Sequence, residues 1–265
     1  MLGAIIGDVI GSRFERYNTK SKTFDLYHEQ CKMTDDSVLT IAVADAYMNK
    51  KGYAETIKEY GRENPTAGYG SSFIGWLDSV DSKPYNSWGN GSAMRVSALS
   101  WLIDDLDELM KEAEKSAEVT HNHPEGIKGA KAIAMAVWMA RKGKNKEEIK
   151  VAISEHFGYD LTRTVEFLVD TYQFDVSCQG SVPEAVICFL ESTDFEDCIR
   201  TAISIGGDSD TIASMAAAIA EAFYGISKVP VPMELYAMGK IVQNQKYSDI
   251  FEQFLSNALN KDGGN

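Results

Sequence analysis

Two short acidic stretches each stand at the head of an apolar-periodic segment. "MTDDSVLT" (33–40) sets Thr34, Asp35 and Asp36 side by side, and "SIGGDSDTIAS" (204–214) sets Asp208, Asp210 and Thr211 behind two glycines. Carboxylate and hydroxyl oxygens are hard ligands, suited to Mg²⁺, Mn²⁺ or Ca²⁺ rather than Zn²⁺. Four aspartates sharing one cleft would repel one another strongly, and two divalent ions would balance them. Such a pair of ions can orient a substrate's hydroxyls and activate a water.

Two other readings of the same residues compete. Thr and Asp cap helix N-termini, where they accept bonds from unpaired N–H groups and complement the dipole. One cap needs one residue, however, and each stretch supplies three oxygen-bearing side chains. The D-x-D-x-T nucleophile loop of phosphatases fits poorly, because "DSDT" has no residue between the second Asp and the Thr. The segment before it also has a period near 3.6 rather than a strand-like run. No EF-hand spacing is present. The two-cation site is the reading carried forward.

The elements that must position these residues are helices. Phe195, Cys198, Ile199, Ala202 and Ile203 recur at helical spacing behind a capping Asp194, and Ile212, Met215, Ala216, Ile219 and Phe223 repeat the pattern. Leu39, Val43, Ala46 and Tyr47 do so after "TDDS". Further helices are expected at 53–63, 92–103, 106–118, 125–141, 146–157, 163–172, 183–191, 232–241 and 247–259. Alternating β patterns are absent, and no linker or repeat divides the chain, so a single all-α domain spanning 1–265 is expected. In "LGAIIGDVIGSRFE", Gly3, Gly7 and Gly11 fall on one helix face. Each costs roughly 1 kcal/mol of helix propensity against Ala, which close approach of another helix would offset.

A formal charge of −13 argues against non-specific binding to nucleic acid or anionic membranes. It also sits awkwardly with an anionic substrate unless bound cations invert the local field. Four scattered cysteines read as free thiols of a reducing compartment. No basic leader and no apolar run of ~18–20 residues is present, so a cytoplasmic, non-membrane protein is expected.

"GAIIGDVIGSRFE", "MTDDS", "GNGSAMR" and "SIGGDSDTIAS" together resemble, in order and separation, the signature segments of the ADP-ribosylglycohydrolase family. That family includes dinitrogenase-reductase-activating glycohydrolase-like enzymes. The resemblance implies an orthogonal multi-helix fold, two magnesium ions (Mn²⁺ being possible) in a central cleft, and hydrolysis of the bond between ADP-ribose and an acceptor. Arginine on a protein is the first expectation for the acceptor. Small-molecule ADP-ribose conjugates are also admitted, nucleic acid only as a modified substrate. A silent ADP-ribose-binding or structural relative is the alternative, and a monomer the default.

By that resemblance Thr34, Asp35, Asp36, Asp208, Asp210 and Thr211 are the metal ligands. Glu15, Asp36 and Asp208 are the candidate catalytic carboxylates, and Asp8 supports the first turn from behind. "WGNGSAMR" (88–95) matches the segment that cradles substrate, through Asn90, Gly91 and Ser92. In "VTHNHPEG" (119–126) His121 matches a cleft histidine, with His123 more suited to capping. In "CQGSVPEA" (178–185), Gly180, Ser181 and Val182 are expected in the pocket wall.

Overall fold

The computed structural model describes residues 1–262, and no β-strand occurs among them. The helices are α1 (Leu2–Gly11), α2 (Asp35–Met48), α3 (Tyr53–Glu63), α4 (Ser71–Asp78), α5 (Gly91–Met94), α6 (Leu99–Leu102), α7 (Leu106–Glu118) and α8 (Pro124–Arg141). They continue as α9 (Lys146–Phe157), α10 (Val165–Thr171), α11 (Cys178–Glu191), α12 (Phe195–Ser204), α13 (Ser209–Tyr224), α14 (Val231–Ile241) and α15 (Gln245–Asp262). The all-α expectation holds.

At the centre lie α1 and the first three turns of α13. Every residue of α1 is buried, and so is every residue from Ser209 to Glu221. A helix buried on all sides cannot rely on an amphipathic stripe, and both are mostly apolar and rich in Gly or Ala, apart from Asp8 in α1 and Ser209, Asp210, Thr211, Ser214 and Glu221 in α13. The glycine stripe explains how the two axes come so close. A Cβ on Gly3 would press on the Ala217 carbonyl, one on Gly7 on the Ala213 carbonyl, and one on Gly11 on the Cα of Asp210. Backbone therefore packs on backbone, and the propensity lost at three glycines is offset by that approach. Helices α8, α11 and α12 pack around α13, and α2 packs on α1.

Most helices follow their sequence signals. Asp194 accepts from the Asp197 amide at 2.8 Å and caps α12 as expected. Three regions differ. The segment 92–103 is broken into α5 and α6, because the Met94 carbonyl is engaged by Thr40 Oγ1 and the chain restarts with a tight turn from Leu99 N to Val96 O. Helix α11 begins at Cys178, five residues before the expected start at Pro183. Ser177 caps it by accepting from Gly180 N at 3.1 Å, and Gln179, whose carbonyl loses the bond that Pro183 cannot donate, is solvent-exposed. Helix α4 was not expected, although Phe73, Trp76 and Leu77 stand at i, i+3 and i+4 and supply its buried face.

The close approach of α1 and α13 predicts the outcome of a single methyl group. Gly7→Ala should be destabilised by about 1–3 kcal/mol through overpacking, in spite of the helix propensity gained. Gly239→Ala, at an exposed position of α14 with nothing near its Cβ, should be neutral or stabilised. Denaturant unfolding of both variants checks this; a stabilised Gly7→Ala would mean the contact does not constrain the fold.

Candidate active site

The first turns of α2 and α13 deliver the two acidic stretches to one place. Thr34 caps α2, its Oγ1 accepting from Asp36 N at 3.3 Å. Asp208 stands at the corresponding position of α13 but makes no side-chain cap bond. Its Oδ2 instead accepts from Asn90 Nδ2 at 2.7 Å. Capping is thus satisfied at one stretch and set aside at the other. The turn into α13 is made by Gly206 and Gly207 at φ +72° and +76°, values that favour glycine. Asn18 grips that turn at both ends, donating to Gly207 O at 2.9 Å and accepting from Gly207 N at 2.8 Å.

Carboxylate oxygens of Asp8, Asp36 and Asp210, all buried, lie within 4.8 Å of one another. Asp8 projects from α1 and is the best supplied. It accepts from Thr34 N at 3.0 Å, Thr34 Oγ1 at 2.6 Å, Ser37 N at 3.1 Å and Ser37 Oγ. It therefore holds the start of α2 in place, as its expected supporting role requires, while also standing in the cluster. Asp36 Oδ2 accepts from Thr211 Oγ1 at 3.1 Å, and Asp36 Oδ1 is buried with no partner.

Burial is the leading force on these acids and mutual repulsion follows. Together they push Asp35 up to about 7, and Asp36 and Asp210 well above the usual carboxylate range. Burial, against several donated hydrogen bonds, pushes Asp8 up to about 6, and Asp208 likewise to about 6. An orphaned buried carboxylate oxygen inside a set of hard donors is what a divalent cation would complete, so the residues fit such ions.

The cluster opens on a cavity of about 360 Å³, lined by Glu15, Asp35, Asp36, Asp208, Asp210 and Thr211 together with Gly89, Asn90, Gly91 and His121. Glu15 reaches the cavity just after the short 3₁₀ turn Ser12–Phe14. The segment 88–90 is tied to the start of α11, Asn90 N donating to Val176 O at 2.7 Å and Cys178 N to Trp88 O at 2.9 Å.

Five expected site residues stand apart from this wall. Thr34 is turned toward Asp8 and does not line the cavity. Ser92 is fully buried and donates to Gly126 O at 2.7 Å. Ser181 and Val182 are buried in the first turns of α11, Ser181 Oγ donating back to Ser177 O at 2.6 Å. Gly180 borders a separate groove with Gln179 and Glu184. The early start of α11 moves 180–182 behind the wall, and Phe174 and Val176 of the preceding segment take their place. His123 accepts from Glu125 N at 3.1 Å and caps α8, as its position suggested. Tyr85 and Arg95 were missed: both line the cavity, Tyr85 outside any quoted motif and Arg95 at the end of "WGNGSAMR" without being singled out there.

Residues 1–259 match the sequence model of the ADP-ribosylglycohydrolase family. ADP-ribosylhydrolase ARH3 of Homo sapiens is 26% identical, over 98% of this chain and 93% of its own length. ADP-ribosylarginine hydrolase Tri1 of Pseudomonas putida is 23% identical, over 87% of this chain and 71% of its own. A solved structure of an ADP-ribosylglycohydrolase-related protein complex aligns with a TM-score of 0.68 at 22% identity, covering 90% of this chain and 95% of that one. At that identity the likeness is one of fold.

The raised carboxylates carry a pH signature. From the usual 3.8 up to about 7, the folded ion-free chain holds protons that the unfolded chain has released, so its stability falls as pH rises through that window. Mg²⁺ or Mn²⁺ should therefore raise the melting temperature more at about pH 7.5 than at about pH 5. Asp210→Asn should melt at or above the wild type without ions and lose the ion response. A wild type indifferent to both ions at both pH values would contradict this reading of the cluster.

Proposed function

The chain belongs to the ADP-ribosylglycohydrolase family, and from that premise we propose that it is a divalent-cation-dependent hydrolase of the bond between ADP-ribose and an acceptor, protein arginine first. The observation that carries the reading is the meeting of Asp35, Asp36, Asp208, Asp210, Thr211 and Glu15 on one cavity, with Asp36 Oδ1 buried and unpaired. The arginine acceptor is supported by the likeness to ADP-ribosylarginine hydrolase Tri1.

In this reading Thr34, Asp35, Asp36, Asp208, Asp210 and Thr211 hold two ions, magnesium or manganese. Bound there, the ions would offset the carboxylates' charge and polarise the ribose hydroxyls and a water. The chain's own groups do the rest. Asn90 and Gly91 position the ADP-ribosyl group, and Asn90 also orients Asp208 through its 2.7 Å bond. Positive charge that develops at the anomeric carbon as the acceptor departs is stabilised by the surrounding carboxylates. Glu15, Asp36 or Asp208 takes the proton of the attacking water. The acidic chain charge and an anionic diphosphate become compatible once cations share the cleft. The same reading takes the chain as a single-domain cytoplasmic monomer acting on ADP-ribosylated protein or on small ADP-ribose conjugates. One continuous core and four buried free cysteines support it, and among the described residues no helix is long and apolar enough to cross a membrane.

Incubation with ADP-ribosylated arginine, serine and O-acetyl substrates, with Mg²⁺ or with a chelator, tests the proposal. Free ADP-ribose should be released from the arginine substrate only with the ion. Asp208→Asn should lose about 10²-fold or more in rate, as several kcal/mol of transition-state stabilisation would imply. Binding of ADP-ribose without turnover of any substrate would favour a silent relative instead.

A further inference from the structure

The cavity that holds the carboxylates is also bordered by a relay of polar groups that the metal-centred reading leaves unused. Arg95 follows α5, is fully buried and lines the cavity. Its Nη2 donates to Ser116 O at 2.8 Å and to Thr120 Oγ1 at 2.9 Å, while Nε and Nη1 have no partner. Thr120 Oγ1 in turn lies 2.7 Å from His121 Nδ1. A Cβ on Gly89 or Gly91 would stand 3.5 or 3.2 Å from His121 Nε2, so the two missing side chains leave that nitrogen open on the cavity side.

Chemistry alone sets the first bond of this relay, and burial favours one direction for the second. A guanidinium only donates, so Thr120 Oγ1 accepts from Arg95. The Thr120 hydroxyl is fully buried, and His121 Nδ1 is the acceptor within its reach. If the hydroxyl proton goes there, both groups are satisfied; if Nδ1 carried a proton, that hydroxyl proton would be stranded at a cost of about 1–3 kcal/mol. Protonation of the whole ring is opposed by burial and by the neighbouring Arg95 charge, which hold His121 well below its usual range.

We propose that Arg95 and Thr120 are positioning residues that lock His121 as a neutral imidazole with its proton on Nε2, making it a fixed donor for an oxygen of the bound ADP-ribosyl group. This rests on the function proposed above for the identity of the ligand, and on the chain's own geometry for the tautomer. A fixed donor recognises an acceptor oxygen, such as one of a diphosphate, and rejects another donor. It also stays uncharged in a cavity shared with the carboxylates, so it neither pairs with them nor competes with the ions. Arg95, by contrast, contributes through Thr120 and through its charge rather than by exchanging protons.

The test is a long-range ¹H–¹⁵N spectrum of the four histidines, His121 being assigned by its loss in His121→Gln. In the wild-type protein near neutral pH, His121 should show an unprotonated Nδ1 and a protonated Nε2. Adding ADP-ribose with Mg²⁺ should shift the Nε2–H resonance. Thr120→Val, close in shape and without the hydroxyl, should populate the other tautomer and weaken ADP-ribose binding roughly tenfold, the worth of one such hydrogen bond. A wild-type His121 that is doubly protonated or protonated on Nδ1 overturns the proposal, and so does an unchanged tautomer in folded Thr120→Val. Should the tautomer be as stated while ADP-ribose shifts no histidine and does not bind, the relay stands and the function reading fails.

Discussion

Backbone contact between α1 and α13 is the constraint on which the rest of the molecule depends. Gly3, Gly7 and Gly11 let the two buried helices touch along their axes, and the last of them lies against Asp210 itself. Asp8, on the same short helix, then grips Thr34 and Ser37 and so places the start of α2. One ten-residue helix thereby fixes both acidic stretches, one through packing and the other through hydrogen bonds. Sites assembled on such rigid, mutually packed elements hold their geometry better than sites on loops.

The arrangement concentrates charge where the protein alone cannot balance it. Burial and repulsion both push the aspartates toward protonation, and Asp36 keeps an oxygen with no donor. Such a cluster is a standing cost to the ion-free fold, of the kind met at functional sites. The same cavity also holds groups of another character: a buried guanidinium, a histidine whose charged form burial disfavours, and two glycines.

What was legible in the sequence is what depends on neighbours close along the chain. Thr34–Asp36 and Asp208–Thr211 announce helix starts, and their surplus of oxygens over the needs of a cap pointed to ions. The glycine stripe announced a close helix partner without identifying it. Glu15, Asn90, Gly91 and His121 were placed by resemblance, and all four line the cavity. Less legible was whatever depends on long-range contact. Arg95 matters because Ser116 and Thr120 lie against it, and Tyr85 because the cavity passes beside it. Gly180, Ser181 and Val182 were expected in the wall by resemblance to a loop, and they do not line the cavity because Ser177 caps a helix that already contains them. Ser92 looked like a ligand contact, and its hydroxyl is instead spent on the Gly126 carbonyl.

The central claim is that the carboxylates gathered at the starts of α2 and α13, with Asp8 of α1 behind them, form one two-cation site. Electron paramagnetic resonance of the intact protein titrated with Mn²⁺ tests it most directly. The account predicts two ions per chain with spectra broadened by mutual coupling, and loss of that coupling in Asp36→Asn. Failure to bind Mn²⁺, or binding of isolated ions unchanged by Asp36→Asn, would contradict it.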